Sequence, residues 1–120
     1  MQEQLLGDLD SNLWIIMSHP KAADKTGPMS SSTGQLFMES VINSGLSRSQ
    51  VRFEYLVNEI SPKDGFKHFV DRPNGFVQKK VAQLKERIRK HKPNLVLCVG
   101  SEPIEHIMGL TGILKWRGHV

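Results

Sequence analysis

His19 follows the apolar run Leu13-Trp14-Ile15-Ile16-Met17 and lies between Ser18 and Pro20. An imidazole titrates near neutrality, so His19 is the residue best suited to move a proton as a general base, with Ser18 and Asp24 near it in sequence. The plainer alternative is a solvated or locally hydrogen-bonded loop histidine. A second chemistry comes from charge. Between Arg72 and Lys92 there are eight Lys or Arg and a single acid, Glu86. Such a surface attracts phosphate backbones independently of base sequence, and Lys85, Arg89 and Lys92 fall on one flank of a helix. The competing reading is a solvated helix face. Ser30-Ser31-Ser32-Thr33-Gly34 could present hydroxyls and backbone N–H groups to an anion at a helix start, but no phosphate-loop Gly-Lys-Ser/Thr follows.

These residues need elements to hold them. Leu13 to Met17 reads as a first strand, stopped by Ser18-His19-Pro20. After the Gly-, Pro- and Ser-rich stretch from Lys21, Ser32 or Thr33 can cap a helix carrying Leu36, Phe37, Val41 and Ile42, with Gly45 ending it in the left-handed conformation. Val51 to Val57 is a second strand, and Asn58 to Asn74 a long connection. Val77, Val81, Leu84 and Ile88 recur at helical spacing, so Phe76 to His91 is a helix with an apolar stripe and a basic outer face. Lys92-Pro93 opens a third strand, Leu95 to Val99, whose unalternating apolar run suits burial on both faces. Ser101 then caps a helix with Pro103 in its first turn. The order predicts an α/β domain with a mainly parallel sheet of at least three strands, helices on both faces, and a ligand crevice where the sheet order reverses.

The 120 residues, 38% hydrophobic and 23% charged, suit one domain spanning 1–120. No apolar run approaches the ~20 residues that cross a bilayer, and the first residues lack a signal-peptide pattern, so a cytoplasmic protein without a membrane partner is expected. The single cysteine, Cys98, sits in the apolar strand and reads as a small buried hydrophobe, which leaves no disulfide or four-cysteine metal site.

The order of motifs resembles the uracil-DNA glycosylase superfamily over nearly the whole chain. Met17-Ser18-His19-Pro20-Lys21 is similar to its first, strand-ending motif, Pro28-Met29 to a Pro-Phe loop, and Gly34-Gln35-Leu36 to a helix opening Gly-Gln-Leu. Gly45-Leu46-Ser47-Arg48, Lys92-Pro93, the strand closing in Gly100, and Arg117-Gly118 continue the match. The resemblance implies a three-layer α/β/α sandwich, a base pocket at Pro20, Met29 and Tyr55, and DNA-backbone contacts from Lys85, Arg89, Lys92, Ser101 and Arg117.

The departures bear on chemistry. Excising a flipped base requires a polar group to activate water or stabilise charge, and a ring beneath the base. Ser18 stands where the family has an acidic residue, Met29 where a phenylalanine stacks, and Tyr55 where an asparagine reads the base edge. The later His-Pro loop that inserts into DNA is absent, and so are the four cysteines of the iron–sulfur branch, so no cofactor or metal is expected. His19 and Ser18 are the remaining catalytic candidates. The implied function is a non-catalytic DNA-binding domain like those at the N-terminus of bacteriophage family A DNA-directed DNA polymerases, acting in DNA replication as part of a longer polypeptide in the host cytoplasm. The alternatives are an active glycosylase with altered catalytic groups and a small nucleotide-binding α/β domain.

Overall fold

The computed structural model describes residues 3–20, 28, 32–45, 50–59, 66–107 and 113–116. Its elements are α1 (Glu3–Leu6), β1 (Leu13–Met17), α2 (Ser32–Asn43), β2 (Val51–Tyr55), α3 (Lys67–Val70), α4 (Phe76–His91), β3 (Leu95–Val99), α5 (Ser101–Ile107) and β4 (Ile113–Trp116). The strands form one sheet in the order β2-β1-β3-β4, and every pairing is parallel. In the registers, Ile15 stands between Phe53 and Leu97.

Alternation along the strands sorts the apolar side chains into two cores. Trp14, Ile16, Val96 and Cys98 pack with the α4 stripe of Val77, Val81, Leu84 and Ile88, and with Ile104 and Ile107 of α5. Leu13, Ile15, Val51, Phe53 and Tyr55 meet Phe37, Met38 and Val41 of α2 on the other face. Helices therefore cover both faces, as the element order requires. Among the described residues no helix is long and apolar enough to cross a membrane.

Three details differ from the sequence expectation. The β2 ladder ends at Tyr55, although Leu56 and Val57 still donate backbone hydrogen bonds to Met17 O and Ser18 O at 2.9 and 3.1 Å. The long connection after β2 holds the single turn α3, which is anchored by buried Phe69. Leu95, Leu97 and Val99 of β3 are half-buried at the margin of the α2 core, so β3 is not sealed on both faces. A fourth strand, β4, extends the sheet beyond β3, in keeping with the expected minimum of three. Gly45 does take the left-handed conformation after α2, with φ 102° and its N–H donating to Ile42 O at 3.0 Å.

The segment after α1 lies across the edge strand β2. Gly7 has φ 100°, and a Cβ there would stand 2.5 Å from the Val51 carbonyl oxygen. Gly7→Ala combines left-handed strain with a backbone clash, and it is expected to lower stability by about 1–3 kcal/mol in urea denaturation.

Candidate nucleic-acid interface

The sheet order creates one switch point. The connection from β1 passes through α2 to β2 on one face, whereas that from β2 passes through α4 to β3 on the other. β1 and β3 end side by side where the connections change face, the position at which ligands of such sheets bind. Ser18, His19 and Pro20 follow β1 at this switch point, and Gly100 and the start of α5 follow β3.

His19 is buried, 6% exposed. Its Nδ1 lies 3.0 Å from Pro20 O, and because a carbonyl only accepts, Nδ1 carries the proton in that bond. The ring meets Phe69 edge-on, with centroids 5.5 Å apart. His19 is thus a buried, locally hydrogen-bonded histidine rather than a solvated one, and Phe69, from the connection after β2, packs against its ring. Pro20 is buried beside it, and Ser18 is half-buried with its carbonyl accepting from Val57.

The other sequence candidates do not gather round this histidine. Tyr55 ends β2 with its ring in the α2 core, whereas Phe69, against which His19 packs, belongs to the opposite core. Met29 and Arg117 lie outside the described residues. Ser101 opens α5 at the switch point through its backbone.

Helix α4 runs antiparallel to the strands. Its first residue, Phe76, stands 6.4 Å from Phe69 near the carboxyl edge. His91, its last, stacks 5.9 Å from Trp14 and lies 3.8 Å from the Asp10 carboxylate, near the start of β1. Sixteen residues span about 24 Å, so Arg89 and Lys92 lie at the end of α4 remote from Ser18, His19 and Pro20, with Lys85 between. A ligand touching both sets must run along the helix, a length of about seven steps of a duplex strand.

Not all eight cations remain available. Arg72 makes a two-pronged ion pair with Glu59 at 3.1 and 3.2 Å and covers the Phe76 ring at 4.5 Å. Arg87 holds Glu54 of β2 at 2.9 and 3.3 Å. Arg89 approaches Glu86 at 3.6 Å in an exposed pair, which such geometry makes weak. Lys79, Lys80, Lys85, Lys90 and Lys92 have no ion pair among the described residues, and Lys79, Lys90 and Lys92 are exposed. The outer surface of α4 is therefore a basic strip along its full length.

Sequence reasoning overlooked a buried ionic cluster. Arg52 and Glu54 are both 2% exposed on β2, and Arg52 Nε and Nη2 donate to Glu54 Oε2 at 3.1 and 3.0 Å while Nη1 donates to Gly7 O at 2.7 Å. The signal was present: Arg52 and Glu54 alternate with Val51, Phe53 and Tyr55, so a strand there must place both charges together on one face.

Among the described residues no three His, Cys, Asp or Glu side chains are grouped to hold a metal ion. Burial pushes the Cys98 thiol up to about 11. Its folded pKa lies above the unfolded value, so the contribution to stability is present below about pH 9 and is lost as pH rises toward 11. The native thiol is expected to resist maleimide at pH 7.5 and to react once urea unfolds the chain; labelling followed by mass spectrometry checks this. No protein-family model matches the chain, and neither does any curated protein.

Proposed function

We propose that this domain binds DNA through the outer surface of α4 and does not excise bases. The carrying observation is the basic strip: Lys79, Lys85, Lys90 and Lys92 have no ion pair among the described residues, and Glu86 is the one acid on that helix. Phosphate neutralisation by such a strip needs no base readout and gives strongly salt-dependent binding. The absence of excision rests on His19. Phe69 packs edge-on against its buried ring, its Nδ1 bonds to Pro20 O, and Ser18 stands where the resembling enzymes carry an acid. The resemblance to the glycosylase superfamily supports the further proposal that the domain serves a phage DNA-directed DNA polymerase as an N-terminal, non-catalytic module in replication.

One observation favours a second reading. The switch point between β1 and β3 is where parallel sheets receive small nucleotides, so a mononucleotide-binding domain would use that position and leave α4 in solvent.

Fluorescence anisotropy of a labelled single-stranded oligonucleotide, with and without one uracil and at two salt concentrations, tests the proposal when alkali cleavage of the same samples follows. Salt-sensitive binding without uracil-dependent breaks is expected, and His19→Ala should leave cleavage at background. Uracil-dependent breaks that vanish in His19→Ala would establish a working glycosylase instead. Salt-insensitive binding of a mononucleotide, with no DNA affinity, would favour the second reading.

A further inference from the structure

Beside the Arg52–Glu54 pair lies a cavity of about 240 Å³ between α4, the end of β2 and the segment after α1. It is distinct from both the switch point and the outer strip of α4. Its charged lining is Glu54 with Arg52, Arg87 and Lys80, beside the amides of Asn58 and Gln83, and its apolar wall includes Leu6 and Leu56. Among the described residues its wall carries three cations and one carboxylate, an excess of two positive charges.

Stability does not account for this arrangement. A buried ion pair often costs as much to desolvate as it returns, and apolar side chains of similar volume serve an edge strand at least as well. The donors are also more numerous than Glu54 requires. Arg87 reaches Glu54 through Nε and Nη2, and among the described residues its Nη1 makes no hydrogen bond. Lys80 Nζ makes no hydrogen bond or ion pair among the described residues and rests 5.6 Å from the centroid of the Phe76 ring.

We propose that this cavity is a binding site for a compact phosphate monoester. The phosphate carries about −1.5 to −2 charge near pH 7, which matches the excess of two, and a guanidinium receives it through paired N–H donors. Lys80 and Arg87 hold the phosphate, Glu54 keeps both guanidiniums oriented, and the small apolar body of the ester lies against Leu6 and Leu56. The volume falls below the roughly 300–1,000 Å³ of sites for drug-sized ligands, so the ester is small. This site stands independently of DNA binding by the outer strip.

Isothermal titration calorimetry with phenyl phosphate tests the assignment on the intact chain. Saturable binding at one site is expected, with inorganic phosphate weaker and phenol without effect. Lys80→Met should lower the affinity at least tenfold and Lys80→Glu should abolish binding, while Lys85→Met, on the opposite flank of α4, leaves it unchanged. Circular dichroism melts of both Lys80 variants should match the parent, since that side chain anchors no element. Absence of saturable heat, phenol binding as tightly as phenyl phosphate, or equal losses in Lys80→Met and Lys85→Met would each overturn the proposal.

Discussion

Replacing Glu54 with alanine is expected to cost about 3–5 kcal/mol of stability, a large share of the 5–15 kcal/mol typical of a domain. Arg52 is 2% exposed, and its Nε and Nη2 bond to the Glu54 carboxylate. Without that carboxylate the buried guanidinium keeps the Gly7 carbonyl but loses its carboxylate partner among the described residues. Arg87 is more than one-third exposed and can turn to water, so the penalty falls mainly on Arg52. The double change Arg52→Met with Glu54→Leu should cost much less than Glu54→Ala alone, because it removes the buried charge with its partner. Urea denaturation of the three proteins measures both differences; a loss below about 1 kcal/mol for Glu54→Ala would mean that water reaches the pair.

The largest functional effect is expected from Lys85→Ala, Arg89→Ala and Lys92→Ala combined. On single-stranded DNA each lost phosphate contact removes about 0.7 from the slope of log K against log salt, so three contacts remove about 2.1. At 0.1 M salt this amounts to a fall of roughly a hundredfold in affinity. Stability should change little, since Lys92 is exposed and Arg89 holds a surface pair with Glu86. Anisotropy titrations at several salt concentrations read both quantities. An unchanged slope would assign these charges to solvation alone.

Much of the scaffold is legible in the residues. Leu13–Met17 and Phe76–His91 fold as their apolar patterns indicate, because local preference and core burial agree there, and Leu95–Val99 keeps its bounds although one of its faces is only half-buried. The short α3 is not legible, since four residues carry no periodicity; Phe69 fixes it by burial against the sheet. The candidate site is less legible than the scaffold. The burial of His19 depends on Phe69, a residue distant in sequence, and no local pattern reports that contact. Likewise, the spacing of Arg52 and Glu54 places both on one face, but only the docking of α4 brings Arg87 to Glu54. Nor does the sequence report that the antiparallel course of α4 carries Lys92 to the edge of the sheet opposite His19.

The most direct test is a titration of the isotopically labelled domain with a single-stranded oligonucleotide, followed by amide NMR spectra at low salt. The account predicts shifts along the outer face of α4, at Lys79, Lys85, Arg89, Lys90 and Lys92, that reverse when salt is raised. Shifts confined to Ser18, His19 and Gly100 with α4 unmoved, or no shifts at all, would contradict it.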